Sequence, residues 1–137
     1  MFRYRSSIKQ FLSEPKDRDC PFCNLEAERR IIAETPHVVV LFNKYPYDIW
    51  EYRDVVDHLM VVPKRHVSGL RELSKEELAD IMQFIAQYEH EYNVYMRSVD
   101  NVTRSVAAHQ HTHLIKTDVK PARVALYLDK PYFVWKK

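Results

Sequence analysis

With 137 residues, 46% of them hydrophobic and 29% charged, the chain is long enough to bury one core and too short for two ordinary domains. A net charge of +2 is too small to argue for a nucleic-acid partner, and no apolar run reaches the ~20 residues that span a bilayer. The opening Met1-Phe2-Arg3-Tyr4-Arg5 lacks the apolar core of a secretory signal, so a cytoplasmic protein without membrane contact is expected.

Tyr4, Ile8, Phe11 and Leu12 fall at helical spacing before Ser13-Glu14-Pro15, which predicts a short N-terminal helix within 1–19. Cys20-Pro21-Phe22-Cys23 follows as a tight turn, and 25–30 allows one or two helical turns. Segments 31–35 and 37–42 are rich in β-branched and aromatic residues, and meet at Pro36 as two strands. Residues 43–57 form a mixed aromatic and charged excursion; 59–62 is the next strand, stopped by Pro63. The clearest helix is 75–92, where Ser74 and Glu77 spell a capping box and Leu78, Ile81, Met82, Ile85 and Tyr92 share one stripe. Then come a strand at 94–98, a loop at 99–104 and a strand at 105–116. The tail carries short apolar runs at 124–128 and 132–135, around Asp129-Lys130-Pro131. Strands in hairpin order with one long interior helix predict a single α+β domain with a mostly antiparallel sheet. Gly69 is the only glycine, so turns at positive φ must use costlier residues.

The strand at 105–116 holds His109, His111 and His113 on alternate positions. Extended backbone would put all three on one face, with Cα atoms about 6.5 Å apart, whereas a helix would splay alternate rings by about 200°. A row of imidazoles cannot all be charged, so some must be neutral, metal-bound or hydrogen-bonded. As ligands, three histidines and a water make a catalytic zinc shell. Alternatively, Cys20 and Cys23 with two histidines, His66 among the candidates, make a closed structural site. As a nucleophile, the central imidazole can attack phosphorus and form an intermediate that water later opens. Core histidines satisfied by backbone groups explain one such residue better than three at strand period. His37 and His90 read as surface residues.

The run His109-Gln110-His111-Thr112-His113-Leu114-Ile115 resembles the His-φ-His-φ-His-φ-φ signature (φ apolar) of the histidine triad (HIT) superfamily of nucleotide hydrolases and transferases. Phe42-Asn43-Lys44-Tyr45-Pro46 and the block from His58 to Val67, with its Pro63-Lys64-Arg65-His66, are similar to the family's second motif. Cys20-Pro21-Phe22-Cys23 resembles the start of its zinc-containing bacterial members. The likeness covers about 20–116, leaving an N-terminal helix (1–19) and a C-terminal extension (117–137). It implies the HIT fold, an antiparallel five-stranded sheet with one long and one short helix, here with extra C-terminal strands, and a homodimer joining two sheets. It implies His111 as the nucleophile on the α-phosphorus of a nucleotide ester, phosphoramidate or dinucleoside polyphosphate. His113 matches the neighbour that contacts the phosphate, and His58 the partner beside the triad. Cys20, Cys23, His66 and His109 match a structural zinc set. Asn43 falls where ribose hydroxyls are held, Phe22, Val39 and Leu41 where walls surround the base, and Ser105 near phosphate-binding positions.

The chain also departs from that pattern. Ten residues, DIWEYRDVVD, separate Tyr47 from His58 where the family has about three, and they could lengthen a hairpin or overhang the pocket. The loop 99–104 contains no glycine to bring backbone N–H groups close to phosphate; Asp100 and Asn101 tolerate left-handed geometry, and Arg97 and Arg104 offer guanidinium contacts instead. Gln110 and Thr112 replace apolar residues between the histidines. The rival readings are a non-catalytic, zinc-stabilised nucleotide-binding or scaffold module, and hydrolysis by a zinc held on all three triad histidines.

Overall fold

A computed structural model describes residues 3–13, 20–25, 30–96, 109–121, 127–129 and 132–134. Its elements are β1 (Arg3–Tyr4), α1 (Ile8–Ser13), β2 (Ile31–Glu34), β3 (Val38–Phe42), β4 (Ile49–Trp50), β5 (Arg53–Pro63), α2 (Lys75–Tyr88), β6 (Val94–Met96), β7 (Thr112–Thr117), β8 (Tyr127–Asp129) and β9 (Tyr132–Val134). Strands β2, β3, β5, β7 and β6 lie side by side in that order, every pair antiparallel. This is the expected α+β architecture, an antiparallel sheet carrying one long helix.

The sheet is organised on the 11-residue β5, whose last six residues, His58 to Pro63, alternate between two buried faces, as a central strand must. Leu59 and Val61 join Val38, Val40 and Leu114 on the face covered by α2, against Ile81, Phe84, Ile85 and Tyr92. Met60 and Val62 join Val39 and Leu41 on the other face, against Phe22 and Leu25. Each fully buried aliphatic adds about 1.5–3 kcal/mol of transfer free energy. His58 and His113 occupy this second face by the same period, because Met60 sits opposite His113 and Ile115 opposite His58. Helix α2 begins as expected: Ser74 Oγ accepts from Glu77 N at 3.2 Å and Glu77 Oε2 accepts from Ser74 N at 2.6 Å, a box that contributes about 1 kcal/mol. It ends at Tyr88, short of 92, yet Tyr92 still packs in the core.

Several sequence expectations change. Strand β5 starts at Arg53 instead of 59, and its first residues pair with β4, which pairs with β1. Tyr4 therefore belongs to a strand, and the N-terminal helix covers only Ile8–Ser13. The insert lengthens a hairpin whose two-residue turn, Glu51-Tyr52, has φ of 45° and 65°. Both signs suit the right-handed twist of the flanking strands, at a steric cost of about 1–2 kcal/mol per residue without glycine. The histidine strand begins at Thr112, so His109 and His111 precede the ladder. Gln110 N bonds Val67 O (2.6 Å) after β5 has ended at Pro63. Gln110 and Thr112 are buried and bond each other. Strands β8 and β9 pair only with each other among the described residues. Residues 26–29, the loop 99–104 and Trp135 lie outside the described residues.

Candidate active site and metal centre

Hydrogen-bond partners assign the proton positions along the histidine row. Tyr47 N–H donates to His58 Nδ1 at 3.2 Å, so a neutral His58 carries its proton on Nε2. That Nε2 lies 2.9 Å from His113 Nδ1, which must then accept, placing the proton of a neutral His113 on its own Nε2. His111 Nδ1 stands 2.8 Å from the His109 carbonyl. A carbonyl only accepts, so Nδ1 is the donor and the lone pair of a neutral His111 resides on Nε2. The rings of His111 and His113 are 5.1 Å apart, and Phe22 lies 5.2 Å from His111. The row thus presents a nucleophilic nitrogen next to a donor nitrogen, the pairing that attack on an anionic phosphate requires.

The first triad member does something else. His109 Nε2 donates to Pro63 O at 2.8 Å, which turns its Nδ1 lone pair towards Cys20 Sγ (3.3 Å) and Cys23 Sγ (3.7 Å). His66 Nδ1 lies 3.0 Å from Cys23 Sγ, and the four donor atoms all fall within 4.8 Å of one another. Tetrahedral zinc bonds of ~2.0–2.3 Å place ligand atoms about 3.3–3.8 Å apart, so two thiols and two imidazoles fit a metal ion of that kind. Arg65 fixes the His66 loop: its Nε and Nη2 form a fork on the Glu77 carboxylate at 2.9 and 2.7 Å, which holds that carboxyl at about 2. Burial pushes the Cys20 thiol up and His109 down, so His109 is ready to ligate, while Cys20 needs a cation to stay a thiolate. Among the described residues only His109 of the triad belongs to this cluster. The donor atoms of the three triad histidines do not converge as a group among the described residues, so a metal held by all three does not fit.

Two cavities flank the row. One, about 410 Å3, is lined by Phe22, Cys23, Leu25, Ile31, Glu34, Val39 and Lys64. It uses two of the three residues expected to wall the base; Leu41 is fully buried beneath them. The other, about 490 Å3, includes Phe42, Asn43, Tyr47 and His58. Asn43 turns inward: Oδ1 accepts from Tyr45 N at 2.9 Å, and Nδ2 lies 3.4 Å from His58 Nδ1 and 3.1 Å from Nε2, of which only Nδ1 can accept once Nε2 carries the proton. Arg97, Arg104 and Ser105 lie outside the described residues. Sequence reasoning missed Tyr47, whose ring stacks on His58 at 5.2 Å and 14°, and Arg5, whose guanidinium stands 4.5 Å over Tyr47. The aromatic cluster around the insert was the only signal for Tyr47, and nothing local marks Arg5.

His58 is 2% exposed. Burial, reinforced by the Arg5 charge, pushes its imidazole down to about 3 from 6.5. Between those values the unfolded chain binds a proton that the fold refuses. Stability therefore falls as pH drops below about 6.5, by up to about 1.4 kcal/mol per pH unit. His58→Asn is expected to flatten the melting temperature of the protein between about pH 6.5 and 5 relative to wild type. Glu77, held at about 2, adds its own loss only below about 4.5. Equal slopes for the two proteins would show that His58 is not the acid-sensitive group.

No protein-family model matches the chain. It is 30% identical over 99 residues to AP-4-A phosphorylase from Mycobacterium tuberculosis, a match covering 66% of this chain and 47% of that protein. It is 33% identical over 82 residues to galactose-1-phosphate uridylyltransferase from Thermotoga maritima, covering 56% of this chain and 23% of the relative. The chain thus spans about half the length of the first relative and about a quarter of the second. A HIT family hydrolase from Clostridium thermocellum superposes with a TM-score of 0.57 at 19% identity, over 77% of this chain and 96% of that one. A histidine triad nucleotide-binding protein from Candida albicans does so with 0.56 at 18%, over 81% and 87%. No described helix is long and apolar enough to cross a membrane. The chain thus has the fold of the histidine triad proteins on which it superposes, and in sequence it is similar to a phosphorylase and a uridylyltransferase.

Proposed function

We propose that the chain is a nucleotide hydrolase or nucleotidyl transferase in which His111 Nε2 attacks the α-phosphorus of a nucleotide ester, phosphoramidate or dinucleoside polyphosphate. The observation that carries this reading is the 2.8 Å contact between His111 Nδ1 and the His109 carbonyl, which leaves the lone pair on the nitrogen beside Phe22 and His113. The names of the relatives, a phosphorylase and a uridylyltransferase, are consistent with transfer at a phosphate.

A P–N bond forms as the bond to the leaving group breaks, and the leaving group departs with its electron pair and takes up a proton. Water, or a second acceptor, then attacks the nucleotidyl-histidine and restores the imidazole. His113 Nε2–H would donate to the oxygens that gain charge. The cavity lined by Phe22, Ile31 and Val39 together with Glu34 and Lys64 would offer a base ring apolar contacts and polar partners. Cys20, Cys23, His66 and His109 would hold a zinc ion that braces the turn beneath Phe22. A homodimer would join the open edge of β6, which pairs only with β7 among the described residues.

Rapid quenching of the protein with a nucleotide phosphoramidate, followed by intact-mass measurement under mild conditions, tests the reading. A mass increment of one nucleotidyl group, mapped to His111, supports it. Tight binding with neither increment nor turnover overturns it in favour of a non-catalytic nucleotide-binding module.

A further inference from the structure

We propose that Arg5 and Tyr47 are positioning residues that lock the His58 ring in one orientation and make it a one-way hydrogen-bond donor to His113. The effect on turnover rests on the function proposed above; the geometric claim stands apart from it.

Tyr47 grips His58 twice. Its ring stacks on the imidazole at 5.2 Å and 14°, and its backbone N–H donates to Nδ1 at 3.2 Å. His113 meets the same imidazole, with ring centroids 5.0 Å apart and the Nε2 to Nδ1 bond of 2.9 Å. A half-turn of the His58 ring would present carbon to both partners and lose both bonds. Above Tyr47 stands the Arg5 guanidinium, 4.5 Å from the ring centroid, a cation–π arrangement that draws the arm onto the stack. Ser6 secures that arm: its Oγ donates to Asp48 Oδ1 at 3.0 Å, and its N–H donates to Oδ2. Strand β1 pairs with β4, so the N-terminal arm and the insert form one unit resting on the triad.

The ionisable groups near His58 come from four places: His113 on β7, Tyr47 and Asp48 before β4, Arg5 on the arm, and Asp54 and Asp57 on β5. Asp57 is engaged by Tyr92 Oη and by the His58 N–H, and Asp48 by Ser6. Arg5 is the charge that bears on His58, and it opposes a second positive charge there. The orientation matters because the opposite tautomer of His58 would need His113 Nδ1 to donate. That would turn a lone pair of His113, instead of an N–H, towards an anionic substrate oxygen.

Histidine-labelled protein, read by two-bond 15N spectra, tests the assignment without substrate. The expected wild-type pattern is a lone-pair nitrogen at His58 Nδ1 and a protonated Nε2, constant from about pH 8 to 5. Tyr47→Leu should bring His58 into titration at least about one pH unit higher. About one pH unit below that new titration point it should lower kcat roughly tenfold with KM within about twofold, while well above it kcat should match wild type. Tyr47→Phe keeps the stack and should behave as wild type, and Arg5→Gln should fall between them. Wild-type His58 titrating above about pH 5, an unchanged His58 titration in Tyr47→Leu, or a folded Tyr47→Phe as impaired as Tyr47→Leu would each overturn the assignment. Absence of turnover in wild type would sink the enzymatic reading and leave the spectra to judge the positioning claim.

Discussion

His111→Asn is expected to lower the kcat for release of nucleoside monophosphate by about 10^4-fold or more, with melting within a few degrees of wild type. Asparagine can still offer an N–H to the His109 carbonyl, so the backbone before β7 keeps its local bond. What disappears is the lone pair beside Phe22 and His113. The metal cluster does not include His111, so metal content should not change. His113→Asn should cost less, about 10^2-fold, because a donor to the phosphate oxygens assists bond formation without making the bond. Steady-state turnover of the three proteins on one phosphoramidate, with the mass increment followed in parallel, separates the two roles. Turnover by His111→Asn equal to wild type would remove the covalent mechanism and leave only the fold.

The features legible in the sequence are those whose physics is local. Ser74 and Glu77 sit three residues apart and close a box within one helical turn. The alternate histidines stand out by spacing, and the resemblance of the Pro63-Lys64-Arg65-His66 block and of Cys20-Pro21-Phe22-Cys23 to the family's motifs names the four residues that converge. What stayed hidden depends on contacts between distant segments. Residues 53–58 mix charged and apolar side chains, and they extend β5 only because β4 and β7 supply partners. The strand period predicts three histidines on one face. The Pro63 carbonyl instead captures His109 and the Val67 carbonyl captures Gln110, so the first ring serves the thiols and only the next two share chemistry. Gln110 and Thr112 break the expected apolar pattern and still bury, because they satisfy each other and the backbone. The stack of Arg5, Tyr47 and His58 joins three pieces of chain that carry no common motif.

Metal removal should have the largest effect on stability. The four donors come from the turn at Cys20 and Cys23, from His66 beyond β5 and from His109 before β7, and among the described residues none of them lies in a helix or strand. A bound ion would staple the turn, and with it Phe22 and Leu25, onto the sheet face they cover. A metal present at about a thousand times its Kd adds roughly 4 kcal/mol of stability, which corresponds to about 15 °C in a domain of this size. Dialysis against a chelator is therefore expected to lower the melting temperature by about that amount, and zinc alone should restore it. Cys20→Ser should reproduce the loss and be insensitive to chelator, since a hydroxyl does not replace a thiolate on a soft ion. Binding should release protons, because both thiols must ionise to ligate and burial pushes Cys20 against that ionisation. Well below the transition, the chelated protein should keep kcat within a few-fold, as His109 Nε2 stays bonded to Pro63 and His111 takes no part in the cluster. Abolished turnover with unchanged melting would make the ion a participant in the chemistry and overturn its assignment as a brace.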